Sequence, residues 1–491
     1  MPENINIKSD EILCVARGQA VVEARQNVDG NCRVLSASAS AVTNPSEVFA
    51  GEARYVGKVA FDCLIAVEDG VQCISAVAEF SDKITSPDFT SNSHVTLIPD
   101  VINVEAHVEG GTLKMIAVVD VSAVSTVGEE CPCMAATDDG VYAEKRTVEY
   151  STVSGTQTET VYVVDSITES KIAEVLFTTS RAVITSAEAA DGEVKVAGAV
   201  YSVGIIKQED GMIATTRVIT PFVKSMAVMG VNASDNVYAT AAVTESAATA
   251  VEGESRLDIA STVVIDVIAT STATADIVTD VFCADCEIEK KTAKMKCQTA
   301  ESLALVIDTV DGQIPIPADK NAADAVLCIT GTYCTLSDVK VEDERVTVEG
   351  LVGGDIVYYN AEKNAVDVLS FRLPFAMPLS THTDADAVFA TCEVTDVNVR
   401  IRRESVFDIK AELAFALKLS SEKEYEYVAA VELGEPIPRP DAAVIIHIAK
   451  PGETLWQAAK ALCCSPERVT EQNSAAAPYA GGERLINFCN K

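Results

Sequence analysis

A spacing of 141 residues constrains this chain more than any single motif in it. Val34-Leu35, Gly51-Glu52, Gly57 and Asp69-Gly70 return without a gap as Val175-Leu176, Gly192-Glu193, Gly198 and Asp210-Gly211. A looser third copy runs through Val326-Leu327, Arg345-Val346-Thr347-Val348-Glu349-Gly350 and a turn at Glu362-Lys363-Asn364. It needs a one-residue insertion before Gly350 and another near the turn. Pro221-Phe222 and Pro374-Phe375 correspond in the later copies, where the first has Phe80-Ser81. A register shared over such distances is far harder to reach by chance than one short motif.

Each copy has the period of two that marks a half-buried strand. Val194, Val196, Gly198 and Val200 alternate with other residues ahead of a hairpin turn at Asp210-Gly211. Phe407, Ile409, Ala411, Leu413, Phe415, Leu417 and Leu419 alternate without a break, with Asp408, Lys410, Glu412 and Lys418 on the other face. Strand-like pieces at 147–150 and 158–164, and at 287–297 and 302–309, open the second and third copies. The expected fold is mainly β, with three tandem antiparallel sandwich or open-barrel repeats over 1–134, 135–281 and 282–433. Gly434-Glu435-Pro436-Ile437-Pro438-Arg439-Pro440 reads as a stiff linker within 434–442, ahead of a small domain at 443–491.

Charge bounds the partners. The 491 residues include 38 basic and 73 acidic side chains, a net −35, whereas residues 444–491 hold five basic against four acidic. The excess acid lies wholly in the repeats, which argues against a nucleic-acid or anionic-membrane surface, since either needs a basic patch. No apolar run is long enough to span a membrane as a helix. The first ten residues lack the basic and apolar regions of a secretory signal. Fifteen cysteines without a regular framework suit a reducing compartment, so the expected location is the cytoplasm.

The final domain has its own punctuation. Val444-Ile445-Ile446-His447-Ile448 is a β-branched strand with His447 as a structural edge residue, and Pro451-Gly452 is a turn. Thr454 caps a helix whose Leu455, Ala458, Ala459 and Leu462 share one face. Ser465-Pro466-Glu467 starts a second helix, Asn473 ends it, and Leu485-Ile486-Asn487-Phe488 is a closing strand. Lys450-Pro451-Gly452-Glu453-Thr454-Leu455-Trp456, Ala459, Asn473 and Gly482-Glu483-Arg484-Leu485-Ile486 together resemble a LysM domain. Cys463-Cys464 stands where such domains have a polar or glycine-containing turn, and Phe488-Cys489-Asn490-Lys491 where they have a proline.

The resemblance implies a small βααβ fold that grips N-acetylglucosamine polymers or a protein between two loops. Those loops are Gly452-Glu453-Thr454-Leu455 and Ala475-Ala476-Ala477-Pro478-Tyr479. The expected contact residues are Gly452, Glu453, Thr454, Leu455, Trp456, Asn473, Pro478 and Tyr479. Amides freed at a helix start suit a sugar acetamide, and Tyr479 can stack on a ring. Trp456 is expected to pack between the helices and the sheet of its own domain.

Three acidic β-repeats followed by one LysM module resemble the SipL-like family of clostridial spore-coat morphogenesis proteins. Val346-Thr347-Val348-Glu349-Gly350 and Phe371-Arg372-Leu373-Pro374-Phe375 carry the likeness outside the tail. The resemblance implies a non-enzymatic scaffold on the mother-cell side of the forespore surface, its LysM domain docked to a SpoIVA-like coat ATPase. The alternative is a protein that holds peptidoglycan or another N-acetylglucosamine polymer.

Cys131-Pro132-Cys133 and Cys283-Ala284-Asp285-Cys286 have zinc-ligand spacing, but the repeat sets them a whole domain apart. Reduced cysteines without metal are therefore expected there, and small buried side chains at Cys463-Cys464. His94, His107, His382 and His447 are scattered, and Glu129-Glu130 and Asp138-Asp139 read as solvated charge. With no phosphate loop or catalytic set in view, neither an enzyme nor a cofactor is expected.

Overall fold

The structure is a computed structural model that describes residues 3–28, 32–68, 70–91, 93–136, 140–168, 172–251, 255–317, 323–402, 405–437 and 443–488. Asp69, Asp138, Asp139, residues 438–442 of the expected linker, and Cys489, Asn490 and Lys491 lie outside them.

The period of two becomes long antiparallel strands. The first group is β1 (Glu3–Asn27), β2 (Arg33–Phe49), β3 (Glu52–Val67), β4 (Gly70–Thr85), β5 (Val95–Glu109) and β6 (Thr112–Ala136). The second is β7 (Val141–Thr168), β8 (Ile172–Ala190), β9 (Glu193–Gln208), β10 (Ile213–Ala227), β11 (Asn236–Ala250) and β12 (Arg256–Cys283). The third is β13 (Cys286–Pro315), β14 (Ala323–Glu342), β15 (Arg345–Asn360), β16 (Ala365–Pro378), β17 (Ala387–Arg402) and β18 (Val406–Pro436). The tail adds β19 (Val444–Ile448), α1 (Leu455–Leu462), α2 (Pro466–Gln472) and β20 (Arg484–Phe488). Gly434 to Pro436, read from sequence as linker, finish β18, where Pro436 pairs with Cys286.

Each group forms two three-stranded sheets: β1–β6–β5 and β2–β3–β4, β7–β12–β11 and β8–β9–β10, β13–β18–β17 and β14–β15–β16. The paired sheets curl over a common core, as the register shifts at Val101/Asn103, Val243/Glu245 and Val394/Asp396 favour. The alternating Phe407-to-Leu419 series is buried throughout. Gly57, Gly198 and Gly350 lie opposite Phe80, Phe222 and Phe375, whose rings occupy the space a side chain would need. Phe80 is thus the structural partner of Phe222. The β3–β4 hairpin is one residue shorter than β9–β10, which shifts the sequence correspondence by one.

Beyond their three-stranded parts, β1/β6, β7/β12 and β13/β18 continue as two-stranded ribbons. The ribbons pack on one another through Ile7, Cys131, Cys133, Val148, Ile277, Met295, Cys297, Tyr425 and Tyr427. Lys418, expected to face water, is instead buried at the level where they meet, and its ammonium donates to the Ile12 carbonyl. Among the described residues no helix is long and apolar enough to cross a membrane.

Candidate functional site

The tail's helices start where their capping residues stand. Thr454 Oγ1 accepts from Gln457 N at 3.2 Å while Gln457 Oε1 accepts from Thr454 N at 3.0 Å, so two orphan amides are satisfied reciprocally. Ser465 Oγ accepts from Arg468 N at 3.2 Å, and Pro466 opens α2. Cys463 ends α1 with φ 48° and is exposed, whereas Cys464 is buried. Only the second of the pair is the small buried side chain expected of both.

The two loops close on each other. Gly452 N donates to the Tyr479 carbonyl at 2.8 Å, and Tyr479 N donates to the Glu453 carbonyl at 3.1 Å. The Glu453 carboxylate accepts from Lys450 N at 2.6 Å and lies 2.7 Å from His447 Nε2. The Lys450 amide first, and His447 after it, hold that carboxyl below its usual range against the effect of burial. Tyr479 is 2% exposed. The ring expected to stack on a sugar is therefore inside the fold.

Asn473 clamps the end of α2. Its Nδ2 donates to the Val469 and Ile486 carbonyls at 2.8 and 2.9 Å, and its Oδ1 accepts from Ile486 N at 2.7 Å. This ties the end of α2 to β20. Of the expected contact residues, Gly452, Thr454 and Pro478 are exposed, Leu455 is half-buried, and Glu453, Trp456 and Tyr479 are buried.

Trp456 leaves its own domain. Ala458, Ala459 and Leu462 already fill the interior side of α1, so the large ring sits at the flank and is covered by the β-body. It meets Phe282 edge-on with centroids 4.9 Å apart, and Phe282 in turn lies 5.0 Å from Tyr142. Trp456 Nε1 donates to Asp280 Oδ2 at 2.8 Å, Lys460 Nζ reaches the same oxygen at 2.5 Å, and Lys290 Nζ reaches Oδ1 at 2.6 Å. Burial raises the Asp280 pKa, but Lys290, Lys460 and Trp456 outweigh it and hold the carboxyl well below the usual range. Sequence reasoning missed Asp280, Phe282 and Tyr142. The one available signal was a pair of aromatics flanking the joints of a chain that is only 5% aromatic.

Away from the body, the outer face of the β19–β20 pair is apolar apart from Arg484, which stands opposite Ile448. Val444, Ile446, Ile448 and Phe488 are 37, 63, 62 and 50% exposed. Val444 stands opposite Phe488 and Ile446 opposite Ile486, so these side chains form one strip.

The ribbons bring the two cysteine motifs into neighbouring layers, contrary to the separation read from the repeat. They still do not form one site. Cys131 and Cys133 point into the ribbon core with Ile7 and Cys297, while Cys283 packs with Met134 and Val141. Among the described residues no group of three or more His, Cys, Asp or Glu side chains is placed to hold a metal ion. Between β2, β5, β8, β11, β14 and β17 lies a cavity of about 1300 Å³. Arg181–Glu393 at 3.1 Å, Arg217–Asp396 at 2.6 Å and His94–Asp266 at 2.9 Å neutralise one another in its wall. Burial, reinforced by Glu393, pushes the Asp100 carboxyl there up to about 6.

No protein-family model, curated protein or solved structure matches the chain.

Proposed function

We propose that the chain is a non-enzymatic assembly scaffold. In this reading three acidic β-repeats present a LysM-like module to a SpoIVA-like morphogenetic ATPase on the mother-cell side of a spore coat. The observation that carries it is the exposed strip of Val444, Ile446, Ile448 and Phe488 on a chain of net charge −35. A contiguous apolar strip suits a protein surface better than a saccharide, which needs an aromatic platform and converging polar groups. Tyr479 and Glu453, the side chains best suited to that second task, are engaged inside the module. β19 and β20 pair only with each other among the described strands, which leaves strand addition as a further mode of capture. The acid of the repeats suits basic segments of the same partner.

The full chain is tested for capture by the immobilised ATPase and for binding N-acetylglucosamine oligomers by calorimetry. Capture is expected, without heat from the oligomers, and Ile446→Glu should weaken it roughly 30-fold, as for an apolar hot spot of about 2 kcal/mol. Micromolar oligomer binding with no capture overturns the scaffold and favours the glycan alternative.

A further inference from the structure

The bend between β12 and β13 holds chemistry that the scaffold does not use. Cys283 ends β12, Cys286 begins β13, and Ala284-Asp285 make the bend. The two cysteine side chains touch, and both are partly exposed. The Asp285 amide donates to Cys283 Sγ at 3.4 Å. A Cys-x-x-Cys bend of this kind keeps the second sulfur within reach of the first. Contact with Cys283, and then burial, push the Cys286 thiol up to about 11. Cys133 differs: buried in the ribbon core, it is pushed up to about 12 and suits an inert role.

The same bend supports the tail from two sides. Phe282, the residue before Cys283, carries the Trp456 ring. The Asp285 carbonyl accepts from Ile437 N at 2.9 Å, and Cys286 pairs with Pro436, so the segment leading to the tail hangs from it as well.

We infer that Cys283 and Cys286 form a reversible dithiol–disulfide site that exchanges with low-molecular-weight disulfides, and that its state sets how Trp456 is seated. The Cys283 thiol loses its proton to water, and its sulfur attacks one sulfur of the small disulfide. That S–S bond breaks, and the departing thiolate takes up a proton. Cys286, losing its own proton, attacks the mixed disulfide at Cys283 and releases the second small thiol. Two protein thiols are oxidised by two electrons, and one small disulfide is reduced to two thiols.

The full chain is treated with oxidised glutathione, remaining thiols are blocked with iodoacetamide, and peptides are mapped by mass. Emission is followed from Trp456, the chain's only tryptophan. The expected product is a Cys283–Cys286 link lighter by two hydrogens, with a shift in Trp456 emission that dithiothreitol reverses. Cys286→Ser should trap one glutathione on Cys283, and Cys283→Ser should abolish both the link and the emission shift. Recovery of both cysteines fully alkylated, with glutathione only on the exposed Cys463, overturns the site. A Cys283–Cys286 link with unchanged emission overturns its coupling to the tail.

Discussion

Asp280→Ala should release the tail from the body without unfolding either. The Asp280 carboxylate accepts from Trp456 Nε1 at 2.8 Å with its side chain 19% exposed. A bond of this charged kind is worth about 1.5–3 kcal/mol. Lys460, 38% exposed and partly screened by water, adds about 0.2–1 kcal/mol, whereas Lys290 belongs to the body and does not enter the docking equilibrium. The sum is about 2–4 kcal/mol, a shift of roughly 30- to 1000-fold in the docking equilibrium. The edge contact between Trp456 and Phe282 survives the substitution and retains about 0.5–1.5 kcal/mol. Acrylamide quenching of Trp456 and protease cleavage near Ile437 should therefore both rise.

Acid should act on the same contact. The Asp280 pKa is depressed on folding, so its contribution is complete above the ordinary value of 3.8 and is lost as pH falls from there toward the depressed one. Quenching in the parent chain should stay low at neutral pH and climb only on acidification below that value. Unchanged quenching in Asp280→Ala at neutral pH would refute the docking assignment.

Two further substitutions separate packing from contact. An alanine Cβ at Gly198 would lie 2.5 Å from both the Val183 carbonyl oxygen and Phe222 Cζ. The ring can move and the carbonyl cannot, so Gly198→Ala should cost about 1–3 kcal/mol, read as a lower denaturation midpoint. Asn473→Ala removes two hydrogen bonds between the end of α2 and β20 and one back to Val469 within α2. It should cost the tail about 1–3 kcal/mol and speed hydrogen exchange at the Ile486 amide, whereas Ile446→Glu should leave that exchange slow.

The strands were legible because burial on one face leaves a period of two, and the Phe407-to-Leu419 series needs no distant information. What lay across the strands was not legible. Lys418 occupies the polar phase of that series, yet the face behind it is covered by the ribbon carrying Ile12. Phe80 was out of phase with Phe222 because hairpin length moves a residue along the sequence without moving it in the sheet. In the tail, Thr454, Ser465 and Pro466 act within one turn of their own positions, and local reasoning found their roles. Tyr479 and Trp456 are aromatic residues whose partners lie elsewhere, and neither has the role its type suggested, whereas Asn473 ends α2 as expected and in addition reaches across to β20.

That division bears on how the module can work. The docked side of the tail is the Trp456 flank of α1, while the apolar strip lies on the sheet face turned away from both helices. A partner seated on Ile446 and Phe488 therefore does not compete with Asp280 for Trp456. Docking also fixes the strip relative to the acidic repeats, so a partner held at the strip meets the repeats at a set distance, and any second contact becomes intramolecular. A freely tethered tail would lose orientational freedom on forming that second contact; the docked tail has lost it already on folding. What Trp456 contributes to a partner's affinity is then preorganisation at the Asp280 contact, exerted without touching the partner.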